Sequence, residues 1–151
     1  MLKRITKKPA VWALVLVICT ASFASAIEMV SIAGDTVNMR TGPGENYPVL
    51  WELGAGFPLI VLETSGSWLK VEEFEGDIGW VEKRLTEKSS HLIVKKKRVN
   101  IRSGPGPEYK IIGKANLGVV FKTLERDGDW VKVSHENDLD GWIKRDLLWG
   151  W

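Results

Sequence analysis

The residues best suited to recognise a ligand are aromatic, and they occur in pairs separated by 62 positions (109 − 47 = 62). These pairs are Tyr47 and Tyr109, Trp68 and Trp130, and Trp80 and Trp142. An indole or phenol ring offers a flat apolar face for a sugar ring or a peptide, and its N–H or O–H binds polar groups. Two interpretations are open for each pair: the rings pack against neighbouring loops, or they contact a ligand.

Catalytic chemistry is not indicated by the remaining reactive side chains. The chain has two histidines, His91 and His135, and one cysteine, Cys19. The histidines lack the spacing of a metal site and do not recur in the other half of the chain, and no Gly-x-Ser-x-Gly elbow is present. We therefore expect a protein that is not an enzyme and that uses no cofactor and no metal.

The stretch that organises the chain occurs twice. Residues 37–47 read Val-Asn-Met-Arg-Thr-Gly-Pro-Gly-Glu-Asn-Tyr, and residues 99–109 read Val-Asn-Ile-Arg-Ser-Gly-Pro-Gly-Pro-Glu-Tyr. The offset of 62 holds without a gap as far as Gly79-Trp80 and Gly141-Trp142. A fixed period of this length indicates a duplicated unit.

Each copy breaks at Gly-Pro-Gly, which we interpret as a sharp corner of the chain. No Gly-Lys-Ser/Thr follows it, so a phosphate-binding loop is not indicated. We expect glycine to supply unusual backbone angles there and proline to fix φ. Asn38 and Arg40, with Asn100 and Arg102, are expected to brace the corner through backbone hydrogen bonds, although a guanidinium could also bind a carboxylate.

The elements that must position these residues are short and show no helical periodicity. Leu69 and Val71 alternate with Lys70 and Glu72, which is the period of a strand with one buried face and sends Trp68 to the outer face. Apolar positions three apart, at 59/121 and 62/124, predict a bend or bulge in another strand. Five strands are predicted in each copy, at 29–32, 36–40, 59–63, 68–72 and 78–81, and at 91–94, 98–102, 119–124, 130–134 and 141–143.

The repeated pattern resembles the bacterial SH3-like domain. The pattern is Val-Asn-x-Arg-x-Gly-Pro-Gly, then Tyr, then Trp-x-Lys-Val, then Gly-Trp-(Val/Ile), and it covers essentially residues 29–151. The resemblance implies an all-β protein of two consecutive small SH3-like β-barrels. It also implies exported modules that bind cell-wall material or envelope proteins.

The N-terminal residues indicate export. Lys3, Arg4, Lys7 and Lys8 precede an apolar run and an Ala-Ser-Ala ending, which together form the pattern of a secretory signal peptide. We predict a signal peptide at 1–26, a first SH3-like domain at 27–86, a linker at 87–90 and a second domain at 91–151. The apolar run is short for a membrane span, so we expect no stable span after cleavage and a periplasmic or extracellular location.

Charge is divided unequally between the copies. Without residues 1–26 the chain has 17 Lys+Arg and 19 Asp+Glu, a net charge of −2, so nucleic-acid binding is not indicated. Residues 27–88 carry 5 basic and 11 acidic side chains, and residues 89–151 carry 12 and 8. This split is interpreted either as solvated surface with mild attraction between the copies, or as contact of the second copy with an anionic polymer through Lys95, Lys96, Lys97 and Arg98.

Two functions are consistent with these features. The first is an exported, non-catalytic binder of cell-wall peptidoglycan, either glycan or peptide, or of a wall-associated polymer. The second is an adaptor that docks onto another envelope protein, such as a separately encoded wall hydrolase, by strand addition at an exposed sheet edge.

Overall fold

The computed structural model describes residues 27–135 and 139–151, and its regular structure in these ranges is β-strand apart from two short 3-10 turns. The predicted all-β class with two consecutive SH3-like modules is therefore confirmed. The predicted signal peptide, residues 1–26, lies outside the described residues.

Two seven-stranded sheets follow each other along the chain, and we call them the first and the second module. The first contains β1 (Met29–Ile32), β2 (Thr36–Arg40), β3 (Val49–Gly54), β4 (Pro58–Ser65), β5 (Trp68–Glu72), β6 (Ile78–Glu82) and β7 (Thr86–Glu87). The second contains β8 (His91–Val94), β9 (Arg98–Arg102), β10 (Ile111–Asn116), β11 (Val120–Asp127), β12 (Trp130–His135), β13 (Leu139–Lys144) and β14 (Leu148–Gly150). The strand orders, β3-β2-β6-β5-β4-β1-β7 and β10-β9-β13-β12-β11-β8-β14, are identical in plan.

Each module has its own hydrophobic core, and the two cores are built from equivalent positions. Leu69 and Val71 on β5 and Val81 on β6 are buried, as alternation along these strands predicts. Every residue of the first core has a buried apolar counterpart 62 positions later. The first core consists of Val30, Ile32, Val37, Met39, Leu53, Leu59, Leu69, Val71 and Val81. The second consists of Leu92, Val94, Val99, Ile101, Ala115, Phe121, Val131, Val133 and Ile143, with Leu148 in addition.

The bulge expected from the spacing of apolar residues is present in both modules. The pairing of β4 with β5 shifts between Val61 and Glu63, and that of β11 with β12 shifts between Thr123 and Glu125. The residues at the two shifts, Leu62 and Leu124, are exposed. The bulge therefore turns these leucines away from the core.

The prediction of five strands per copy was wrong by two in each module. β3 and β10 were missed because each is an edge strand with one buried residue, Leu53 or Ala115, so alternation is not visible in the sequence. β7 and β14 were missed because they are only two and three residues long.

The glycines of the Gly-Pro-Gly corner serve a different purpose from the one predicted. Neither Gly42 nor Gly104 has a positive φ. Instead, a Cβ atom on Gly42 would come within 2.4 Å of the Tyr47 ring, and one on Gly104 would overlap the Tyr109 ring in the same way. Glycine is needed at these two positions because the tyrosine ring lies directly on the Cα atom.

The two modules are in contact. β7 ends at Glu87 and β8 begins at His91, so residues 88–90 connect them. The Ser31 hydroxyl of β1 donates to the Ser89 carbonyl at 2.8 Å, and the Thr123 amide of β11 donates to the Ser90 carbonyl at 3.0 Å. The connection is thereby bonded to a strand of each module. β4 of the first module also contacts β8 and β14 of the second.

A substitution at Gly104 tests the ring-on-glycine contact. Gly104→Ala is expected to lower the free energy of unfolding by about 1–3 kcal/mol, because the added methyl group overlaps the Tyr109 ring. The measurement is thermal or urea unfolding followed by circular dichroism. In a Tyr109→Ala background the same change should cost much less, and an equal cost in both backgrounds would contradict the proposed contact.

Candidate functional site

The four candidate tryptophans lie on the outer faces of the two sheets. Trp68 and Trp80 in the first module, and Trp130 and Trp142 in the second, are half-buried. Each alternates along its strand with core residues such as Val81 and Ile143. The alternation predicted for these strands therefore places the indoles outside each core.

Cross-strand pairing brings several predicted side chains together on this face. In the first module Lys70 is opposite Trp80, and Trp80 is opposite Arg40. The Nη1 atom of Arg40 donates to the Tyr47 carbonyl at 2.8 Å. This bond attaches the chain after the Gly-Pro-Gly corner to the same face of the sheet.

The second module repeats the arrangement. Lys132 is opposite Trp142, and Trp142 is opposite Arg102. The Nη1 atom of Arg102 donates to the carbonyls of Pro107 and Tyr109, each at 2.8 Å. Both arginines brace their corners through backbone hydrogen bonds, as predicted. The same prediction was wrong for Asn38 and Asn100, whose side chains form no hydrogen bond to the corner among the described residues.

A groove lies beside Trp68 in the first module and beside Trp130 in the second, between the tryptophan and the Gly-Pro-Gly corner. We call these the first groove and the second groove; their volumes are about 590 and 360 Å³. The first is lined by Glu45, Ser67, Trp68, Glu82, Lys83 and Arg84. The second is lined by Asn100, Arg102, Pro107, Asp129, Trp130, Lys144 and Leu147. Four lining positions are equivalent in the two modules: 45/107, 67/129, 68/130 and 82/144.

The charge opposite the tryptophan differs between the grooves. Glu82 is the direct cross-strand partner of Trp68, whereas Lys144 is the partner of Trp130. Arg84 Nε contacts Glu82 Oε2 at 2.5 Å, and Lys144 Nζ contacts Asp146 Oδ2 at 3.1 Å. The two grooves thus share an aromatic wall but present opposite charges beside it.

Arg145, which follows Lys144 in the chain, fixes the strand behind the second groove. Its Nη1 and Nη2 atoms donate to the carbonyls of Leu148 and Gly150 at 2.9 and 2.8 Å. Burial of the guanidinium, with a smaller contribution from Arg126, lowers the pKa of Arg145 from its usual range. Arginine remains charged at physiological pH despite such a shift, so it holds β14 as a cation.

Other predicted site residues are not part of the grooves. Tyr47 and Tyr109 are 47% and 43% exposed at the corners, and neither they nor Trp80 and Trp142 line a groove. The basic run Lys95–Arg98 is exposed on the turn between β8 and β9. Arg98 begins β9, and Asn100 of the same strand lines the second groove, so Arg98 lies about 7 Å from the groove at the rise of a β-strand and on the same strand face as Asn100.

Sequence reasoning missed the polar walls of the grooves. Glu45, Ser67 and Glu82 were not singled out, nor were their counterparts Pro107, Asp129 and Lys144. Comparison of the copies shows that position 82/144 changes charge, but only the strand register shows that this position is opposite the tryptophan.

An exposed apolar stretch on β3 was also missed. Val49, Leu50 and Trp51 are 45%, 42% and 49% exposed on this edge strand. The indole Nε1 of Trp51 donates to Asp77 Oδ2 at 2.8 Å, which holds the ring beside Ile78, itself 48% exposed. β10 of the second module presents Ile111 and Ile112 in the same way.

Comparison with known proteins identifies the modules. The family described as "Bacterial SH3 domain" matches residues 33–88 and 95–150. The chain belongs to this family. Both matches fall on the duplicated unit, so the resemblance inferred from the Gly-Pro-Gly pattern is confirmed.

A curated relative of these bacterial SH3 modules is the Bacillus subtilis (strain 168) protein named "Putative N-acetylmuramoyl-L-alanine amidase YrvJ". It is 28% identical over 128 residues, which cover 78% of this chain and 24% of that protein. The chain therefore spans about a quarter of the length of the relative it matches.

Solved structures with some similarity include two proteins named for NlpC. NlpC2 from Trichomonas vaginalis has a TM-score of 0.37 and 15% identity, covering 82% of this chain and 48% of that one. An NlpC/P60 family protein from Bacillus cereus ATCC 10987 has a TM-score of 0.39 and 13% identity, covering 82% and 56%.

Two features are absent from the part of the chain that the structure describes. Within 27–135 and 139–151, no group of three or more histidine, cysteine, aspartate or glutamate side chains is placed to hold a metal ion. In the same part of the chain, no helix has the length and apolar character needed to cross a membrane.

The arginine braces behind the grooves can be tested by truncation. Arg102→Met is expected to lower the free energy of unfolding by about 1 kcal/mol, because two backbone carbonyls lose their donor. Arg40→Met removes one such bond and should cost less. Urea unfolding measures both, with Arg126→Met on β11 as the control for loss of charge. A larger cost for Arg40→Met than for Arg102→Met would contradict this ranking.

Proposed function

We propose that the chain is an exported, non-catalytic binding protein whose two modules recognise cell-wall peptidoglycan or a wall-associated polymer. The observation that carries the proposal is the groove beside a half-buried tryptophan at the equivalent position of both modules, Trp68 and Trp130. A binding surface kept in both copies, on the same outer face, suits a ligand that is itself repetitive.

The chemistry of the grooves fits a ligand with both sugar and peptide character. An indole face stacks on the apolar face of a sugar ring. Beside it, Ser67 and Glu82, or Asp129 and Lys144, supply hydrogen-bonding groups for hydroxyl and amide groups. The name of the Bacillus subtilis relative, an N-acetylmuramoyl-L-alanine amidase, refers to a bond between an amino sugar and an amino acid, which supports this class of ligand.

The different charged residues in the two grooves suggest that each module binds a different part of the ligand. Glu82 beside Trp68 is paired with Arg84, so the first groove offers a carboxylate and a guanidinium together. In the second groove Arg102 and Lys144 outnumber Asp129, which favours an anionic part of the ligand. The second module also carries the exposed run Lys95–Arg98. We propose that this run contacts an anionic polymer of the envelope, next to the groove residue Asn100.

The proposed location is the periplasm or the outside of the cell. The support is the basic, apolar and Ala-Ser-Ala pattern of residues 1–26, together with membership of a bacterial SH3 family.

Removal of both groove tryptophans tests wall binding. The double change Trp68→Ala and Trp130→Ala is expected to lower retention on purified sacculi at least about tenfold, since each stacked ring contributes on the order of 1 kcal/mol. The measurement is co-sedimentation with sacculi over a range of protein concentrations.

Trp51→Ala is the matched control, because this exposed tryptophan lies on β3 outside the grooves. Retention of the double variant equal to that of the parent would overturn the proposal. Release of soluble muropeptides by the pure protein would overturn the non-catalytic part.

A second candidate function, an adaptor for another envelope protein, is favoured by the exposed edge of the first module. β3 has one neighbour in its sheet, β2, so one row of its backbone N–H and C=O groups is not used within the sheet. The exposed side chains of Val49, Leu50 and Trp51 add apolar contact area along this edge. An extended segment of a partner could pair with such a strand.

Site-specific photo-crosslinking distinguishes the adaptor from the wall binder. A crosslinking residue at Leu50 on β3 is expected to trap one envelope protein in cells, because it lies on the unpaired edge. The same residue at Glu63, exposed on β4, should not trap it. Leu50→Lys should abolish the crosslinked product from a second probe at Val49, yet leave retention on sacculi unchanged. Equal products at Leu50 and Glu63 would refute docking at this edge.

A further inference from the structure

A cavity of about 590 Å³ lies where the two modules meet, and neither groove tryptophan lines it. We call it the junction cavity. Both histidines of the chain line it, although their spacing in the sequence gave no indication of a common site. The lining residues that bear on its chemistry are Gly56 and Glu87 of the first module, and His91, Lys122, Ser134 and His135 of the second.

One wall of the junction cavity is a row of three polar residues in direct register. Lys122 on β11 is opposite His91 on β8 and opposite Ser134 on β12. Residues that are directly opposite each other project from the same face of a sheet, with Cβ atoms roughly 5 Å apart. The imidazole, the ammonium group and the hydroxyl are therefore held side by side by backbone pairing.

This polar row is particular to the second module. The equivalent row in the first module consists of Met29, Ile60 and Glu72. The fold itself therefore does not require a polar row at this place. In the second module the row faces the junction.

The two histidines are held in place by contacts of their own. His91 Nδ1 lies 3.1 Å from the Ser89 carbonyl, which can only accept, so Nδ1 carries the proton of this bond. The other edge of the ring lies on Gly56, where a Cβ atom would come within 3.0 Å of Nε2. The ring of His135 packs edge-on against Phe121, with centroids 5.5 Å apart. The two imidazole rings are thus held by contacts within the protein.

The two modules contribute opposite charges to the lining of the cavity. Lys122 belongs to the second module, and Glu87, on β7, belongs to the first. Neither takes part in an ion pair with another of the described residues. Both are exposed, so a ligand gains their charges without first breaking a bridge, although water weakens each contact.

We propose that the junction cavity binds a small zwitterion, namely a free amino acid or a short peptide with free ends. Its carboxylate lies at Lys122 and Ser134, beside His91, and its ammonium group lies at Glu87. The volume is within the range of about 300–1,000 Å³ that is usual for small-molecule sites. This site is separate from the grooves. A failure of wall binding would therefore not contradict it, and its own failure would not contradict wall binding.

Nuclear magnetic resonance offers a direct readout, because the two imidazoles of the chain both lie in this cavity. The probe is the dipeptide alanylalanine, added to the full chain while the histidine ring signals are followed. Both signals should shift and saturate with a Kd in roughly the millimolar range, as expected for two exposed charge contacts. N-acetyl-alanylalanine and alanylalanine amide, which each lack one charge, should bind at least about tenfold more weakly.

Charge variants locate the two ends of the ligand. Lys122→Gln and Glu87→Gln are each expected to weaken alanylalanine binding about tenfold, which corresponds to the loss of one charge-assisted contact. Lys114→Gln on β10 removes the same charge outside the cavity and should leave the Kd within about twofold. The Trp68→Ala and Trp130→Ala variant should also bind the dipeptide normally, even where it has lost sacculi.

The proposal is overturned if neither histidine signal responds to the dipeptide at about 20 mM, well above the expected Kd. It is equally overturned if the acetylated or amidated probe binds as well as alanylalanine, or if Lys122→Gln binds as well as Lys114→Gln.

Discussion

The contact of a tyrosine ring with a bare glycine Cα supports the shape of both modules. The rings of Tyr47 and Tyr109 occupy the space that a Cβ of Gly42 or Gly104 would need. Arg40 and Arg102 then hold the carbonyls of the same corner from the adjoining strand. Because Glu45 and Pro107 belong to these corners, the contact also positions one wall of each groove. The opposite wall, Trp68 or Trp130, begins its strand and is positioned by the buried residues that follow it, Leu69 or Val131.

Much of this architecture could be predicted because alternation and repetition leave direct traces in a sequence. The burial of Leu69 and Val71, the outward position of Trp68, and the bulges near Leu62 and Leu124 all follow from local spacing. What could not be predicted depends on contacts between distant strands. Which charged residue lies opposite each tryptophan depends on the register of two paired strands, which the sequence does not show. β3 has only one buried residue, so its sequence shows no alternation of apolar and polar residues. The role of Gly104 required the position of a ring five residues later.

Comparison of the two copies shows which positions of the fold stay apolar and which positions change between polar, charged and apolar residues. All nine positions of the first core are apolar in the second, since the interior of a close-packed module tolerates little change in polarity. The outer faces are under no such constraint. There Glu82 corresponds to Lys144, and the row Met29, Ile60 and Glu72 corresponds to His91, Lys122 and Ser134. Duplication thus supplied two similar scaffolds with different surfaces.

The short, hydrogen-bonded connection at residues 88–90 affects the distance between the two grooves. Since Ser89 and Ser90 are bonded to Ser31 and Thr123, the interval between the two tryptophan walls is set by the protein rather than by a flexible tether. A tethered pair of sites gains avidity on the order of 10²–10⁴ only when both can be engaged at once. Under the proposed wall binding, a polymer whose repeat matches this interval would be bound by both modules at once, and a polymer with a different repeat by one module at a time.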